Sequence, residues 1–124
     1  MTTPKPFRLK APLPLAENDV ERACLDLLRL QGYWATRLHV GKFKTIDGRW
    51  ITIGEKGLPD WIALHARRPG FLLEVKRPGG GLSADQIFKI QQLTLGYRLA
   101  VAVVESALEL AHWLEARGVP VMPP

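Results

Sequence analysis

The chain has 124 residues, a hydrophobic share of 47%, and 17 Lys and Arg against 12 Asp and Glu, for a formal net charge of +5. That length makes room for one domain around one core, the apolar share is too high for a disordered chain, and the basic balance suits a polyanionic partner such as nucleic acid. The single Cys24 excludes an internal disulfide, argues against a Cys-based zinc site and fits a reducing cytoplasm.

Residues 1–16 carry Pro4, Pro6, Pro12 and Pro14 and read as an extended arm ahead of one domain at 17–124. The arm lacks the long apolar run of a signal peptide, and the longest aliphatic run, Leu99 to Val104, is too short to span a bilayer; no membrane partner is expected. From Glu17 to Gln31 the residues Val20, Ala23, Cys24, Leu27 and Leu28 recur at helical spacing, and Gly32 ends that helix. "YWATRLHV" follows as a strand, and "KFKTIDGRWITI" as a hairpin turning at Asp47-Gly48. "WIALHA" and "FLLEVK" are two further strands joined by the tight connection Arg67 to Gly70.

"GLSADQIFKIQQLTLG" is the second helix, opened by a capping box of Ser83 and Gln86; Ile87, Ile90, Leu93 and Thr94 form its core face. "YRLAVAVV" has the composition of a strand buried on both faces, and Ser106 with Glu109 opens a last helix. The order α-β-β-β-β-β-α-β-α describes an α/β fold, a mixed central sheet flanked by helices. Trp34, Trp50, Trp61 and Trp113 are expected mostly in the core, with Trp50 able to reach a ligand from the hairpin.

Pairing the two strands back from their turn brings Asp60 near Lys76, with Glu74 two residues away on the same face; a slip of one residue would change the face that Asp60 shares. Two carboxylates brought together repel unless a cation sits between them. A hard divalent ion, Mg²⁺ or Mn²⁺, meets that need, with the backbone carbonyl of Val75 as a third oxygen. Lys76 would then orient the attacking water or offset charge in the transition state. The bland alternative is a solvated Glu74–Lys76 pair, with Asp60 as a turn residue after Pro59. Gln86 has two roles open to it, the capping box or a contact at the end of the sheet. Lys42, Lys44, Arg49 and Lys56 cluster around the hairpin as candidate phosphate contacts, and Arg77 opens a glycine loop whose N–H groups can approach a phosphate.

"PD" at Pro59-Asp60 followed by "EVK" at Glu74 to Lys76 resembles the PD-(D/E)xK nuclease signature. More narrowly, the chain is similar to a stand-alone VRR-NUC domain over nearly everything after the proline arm. The similarity rests on a helix opening with Glu17, on Gly32, on the stretch Arg37, His39 and Gly41, on "GLPD", on "FLLEVK" and on "GGGLSADQ". The resemblance implies a restriction-endonuclease-like core and metal-dependent hydrolysis of DNA phosphodiester bonds. It implies Asp60, Glu74 and Lys76 as the catalytic set, with Glu17 as a further metal or water ligand and Gln86 in support; Glu21, one turn on, competes with Glu17. Stand-alone members are similar to structure-selective endonucleases that act as homodimers on branched DNA, including four-way (Holliday) junctions. Arg37 and His39 would be DNA contacts, although His39 is equally well a surface residue. Two other classes remain: an inactive DNA-binding module on the same fold, and a structural or interaction protein in which the acidic and basic residues form a salt bridge.

A dimer has a second clue, independent of the resemblance. Phe88 and Leu95, seven residues apart, lie opposite the expected core face of the second helix, to be covered either by a partner chain or, within the chain, by the N-terminal arm or the "VPVMPP" tail.

Overall fold

Apolar residues four apart wind the first described segment into helix α1, Glu17–Leu30, with Val20, Cys24 and Leu28 fully buried along one stripe. The computed structural model describes residues 16–38 and 41–121. Readings that fall on His39 or on the arm at 1–15 lie outside the described residues. Gly32 stops α1 at φ +84°, its N–H donating to the Arg29 carbonyl while Tyr33 N–H donates to Leu28. This paired closure needs a left-handed residue, which glycine adopts without penalty.

The remaining elements follow the expected order. They are β1 (Trp34–Arg37), β2 (Gly41–Lys44), β3 (Trp50–Ile53), β4 (Trp61–Leu64), β5 (Phe71–Val75), α2 (Ala84–Gln91), β6 (Val101–Val104) and α3 (Ala107–Ala116). A π-helical turn, Gln92–Gly96, prolongs α2. The main sheet has the order β1-β4-β5-β6, antiparallel across the first three strands and parallel between β5 and β6. The protein is thus a small α/β domain with a mixed sheet and three α-helices. Strand β5 is central and buried along its whole length; Phe71, Leu73 and Val75 join the core under α1 and α3, and Leu72 and Glu74 alternate to the other side. No helix among the described residues is long and apolar enough to cross a membrane.

Several expectations are corrected. The β2–β3 hairpin forms its own two-stranded ribbon and does not extend the main sheet. Strand β6 lies at the sheet's edge, so its apolar run is not buried on both faces and Val103 is exposed. The last β4–β5 pair is Ala63 with Phe71, so the connection spans 64–70 and is longer than the turn at Arg67 to Gly70. Trp34 and Trp50 are solvent-facing, because β1 is the other edge strand and β3 belongs to the ribbon. No residue of α2 is fully buried, and Ile87, expected in the core, is exposed along with Phe88 and Leu95.

Candidate active site

The β4–β5 register places Trp61 opposite Leu73, so Asp60 stands level with Glu74 and not with Lys76. The backbone N–H of Asp60 donates to Glu74 Oε2 at 3.1 Å. Glu74 is 2% exposed, and a carboxylate so buried requires donors. It has two more on Oε1: Gln86 Nε2 at 3.0 Å and Lys76 Nζ at 3.1 Å. Even so, burial raises the Glu74 carboxyl above the usual range, and the Asp60 charge adds to this while Lys76 opposes it.

Gln86 closes the capping box and also reaches the end of β5. Its Oε1 accepts from Ser83 N–H and its backbone N–H donates to Ser83 Oγ, which closes the capping box; its amide nitrogen then reaches Glu74. The start of α2 is therefore fastened to the end of β5 by one side chain. The second expected box is only half formed: Glu109 N–H donates to Ser106 Oγ, but the Glu109 carboxylate accepts from Glu105 N–H.

On α1, Glu17 and Glu21 stand one turn apart, and an oxygen of each lies within 4.8 Å of the others and of an Asp60 oxygen. Glu21 is the buried member. Arg37 Nη2 holds it at 3.0 and 3.2 Å, and Trp61 Nε1 donates to Oε1 at 3.2 Å. Arg37 and Trp61 are cross-strand partners, and the guanidinium sits 4.9 Å from the Trp61 ring centre. Arg37, expected as a DNA contact, is thus committed to Glu21. Burial raises the Asp60 carboxyl, the Glu21 charge raises it further, Arg37 opposes that, and Glu17 adds to it.

Among the described residues the carboxylates of Asp60 and Glu17 have no donor partner. The oxygens of Glu17, Glu21 and Asp60 converge as hard donors fit for a divalent cation of the Mg²⁺ or Mn²⁺ type. Glu74 lies outside that trio, and donors occupy both of its oxygens, as Arg37 and Trp61 occupy those of Glu21. Val75 is buried between Glu74 and Lys76. The sequence favours Glu17 over Glu21, and the signal for Glu21 is its place on the apolar stripe, one residue from Val20 and three from Cys24.

The loop before Asp60 is buttressed against α2. Gly57 has φ +82°, and a Cβ there would lie 2.3 Å from the Asp85 carbonyl oxygen. Lys56 pairs with Asp85 at 3.0 Å, and Lys89 pairs with Glu55. Of the candidate phosphate contacts, Lys42 and Lys44 are exposed on the ribbon, Arg49 is paired with Asp47 at 2.9 Å, and Arg77 is exposed at the start of the glycine loop.

A first prediction concerns stability. Asp60 is harder to ionise in the folded chain, so its charged form costs stability at pH values above the ordinary aspartate value of 3.8, and the cost vanishes as pH falls below that value. Asp60→Asn should therefore melt higher than wild type at pH 7 in EDTA and lose that advantage in acid. An Asp60→Asn variant that melts lower at pH 7 would show that the carboxylate is stabilising as it stands.

Comparisons with protein-family models, with curated proteins and with solved structures each find no match for this chain.

Proposed function

We propose that the chain is a divalent-metal-dependent endodeoxyribonuclease of the VRR-NUC type, with a restriction-endonuclease-like core. The observation that carries this reading is the meeting of Asp60, Glu74 and Lys76 at one end of the sheet, with Gln86 on Glu74 and two further carboxylates beside Asp60. A structural salt bridge needs one carboxylate for one ammonium. Here four carboxylates share two cations, Arg37 and Lys76, and burial together with the neighbouring carboxylates raises Asp60 and Glu74.

Asp60 and Glu17, with Glu21, would hold Mg²⁺ or Mn²⁺. A bound ion of this kind lowers the pKa of a water and offsets charge on a phosphoryl oxygen. The protein's own groups do the rest. Glu74 anchors Lys76, only 16% exposed, so that its ammonium faces the carboxylate end of the sheet. There it can donate to the attacking water or to a phosphate oxygen as charge develops. Gln86 fixes the Glu74 carboxylate, and Arg37 keeps Glu21 from swinging away. Branched DNA is the proposed substrate class, and a two-fold homodimer the proposed assembly. The dimer is supported by Phe88, Leu95 and Tyr97, which leave an apolar strip of α2 and its π turn open to solvent.

The test is incubation with labelled linear, flapped and four-way-junction DNA in Mg²⁺, Mn²⁺ or EDTA. Cleavage that needs the metal supports the reading; cleavage that persists in EDTA, or none on any substrate, overturns it. Lys76→Ala should lower single-turnover rate far more than DNA affinity, because its role lies in the transition state. A Lys76→Ala variant that cuts normally once saturated with DNA would reduce Lys76 to a phosphate contact.

A further inference from the structure

The ribbon β2–β3 pairs Lys44 with Trp50 and Phe43 with Ile51. By strand alternation Lys42, Lys44 and Trp50 share one face, and Phe43 and Ile51 share the other. Trp50 is 68% exposed, and among the described residues neither Lys42 nor Lys44 makes an ion pair. The one acid of the ribbon's turn, Asp47, is engaged with Arg49 and Thr45. Among the described side chains of this face, an open indole thus stands opposite one unpaired ammonium group, Lys44, with a second, Lys42, two residues along the same neighbouring strand.

Its position in the chain matters as much. The ribbon is inserted between Arg37 at the end of β1 and Asp60 at the start of β4, and Leu38 N–H donates to the Asp60 carbonyl at 2.6 Å. Both ends of the segment that carries the ribbon therefore meet beside the carboxylates. Each four-residue strand of the ribbon is about 13 Å long.

We propose that this face binds an unpaired stretch of a nucleic acid strand, with a base stacked on Trp50 and the neighbouring phosphates on Lys42 and Lys44. Charge complementarity selects a polyanion. The flat apolar ring selects one with free π faces, which bases inside a duplex do not offer. An anionic membrane is the poorer occupant, since it offers the charge without a flat π face for the indole to stack on. Where the chain is a nuclease, on the reading above, the ribbon makes the boundary between paired and unpaired DNA its preferred place to cut.

The experiment compares binding to a blunt duplex, to the same duplex with a single-stranded tail, and to phosphatidylserine vesicles, using the full chain in EDTA. Trp50→Ala should weaken binding to the tailed duplex roughly tenfold and leave the blunt duplex unchanged. Trp50→Tyr should keep most of the affinity, and Trp34→Ala, an exposed indole at the far end of β1, should change neither. Lys42→Ala and Lys44→Ala should each lower the salt dependence by about one released ion. If Trp50→Ala weakens both DNAs equally or neither, or if wild type prefers vesicles, the inference is overturned. Its fate is separate from that of the nuclease reading. Wild type that cuts DNA with no Trp50 effect loses only the ribbon, and wild type that binds tailed DNA through Trp50 without ever cutting loses only the nuclease.

Discussion

Exchanging Glu74 for glutamine should leave a folded protein that no longer cuts DNA. The side chain keeps its shape, and the exchange removes a buried charge that burial already disfavours. One hydrogen bond must fail. Glu74 accepts from Asp60 N–H on one oxygen and from Gln86 and Lys76 on the other, whereas an amide offers one oxygen and one donor. Two donors then meet, at a local cost of about 1–3 kcal/mol that the lost desolvation penalty partly offsets. The melting temperature should therefore move little. The rate should fall by roughly 10²–10³-fold, the range for losing one group that acts on developing charge, because Glu74 holds Lys76 in that position. Single-turnover cleavage beside a thermal melt separates the two effects. A Glu74→Gln variant with wild-type rate would remove Glu74 from the chemistry and return it to the fold.

Gly57→Ala should damage the same site without touching it. Its left-handed φ is strained for alanine, and the new methyl would meet the backbone oxygen of Asp85, which cannot rotate away as a side chain end could. We expect a loss of about 2 kcal/mol, or roughly 5–10 °C in Tm for a chain of this size. The site also suffers. Asp85 precedes Gln86, and Gln86 holds Glu74, so pushing the first turn of α2 off the loop shifts the carboxylate. A displacement of about 1 Å can cost on the order of a hundredfold in rate. Gly81→Ala is the control, since nothing lies within 4 Å of the added carbon. Equal effects of the two substitutions would mean that the loop and α2 are not coupled to the site.

What the sequence made legible was local. Helix ends at Gly32 and Ser83, strand composition and the Asp47-Gly48 turn are decided within a few residues, and they appeared where expected. The convergence of Asp60, Glu74 and Lys76 was also legible, because a hairpin must bring those ends together. The register missed by two residues, since the connection at 64–70 proved longer than its Arg67-to-Gly70 turn suggested. What stayed hidden depended on distant parts of the chain. An apolar strand such as β6 has the same composition at an edge as in the centre. A tryptophan looks the same whether a helix covers it or solvent does. Glu21 acquires its meaning only once β1 and β4 deliver Arg37 and Trp61 to it.

Cys24, buried on α1, has a use that its inertness creates. Burial, with the charges of Glu109 and Glu21 behind it, pushes its thiol up to about 12, so no reagent meets a thiolate while α1 lies on the sheet. As the chain's lone thiol it becomes a clock for one motion, the lifting of α1. That same motion would carry Glu21, three residues earlier, out of the site. Labelling by an aromatic disulfide should therefore proceed at the rate of opening, and any ion that ties Glu17 and Glu21 to Asp60 should slow it. Labelling as fast as that of free cysteine would mean that the acidic face of α1 is rarely at its post.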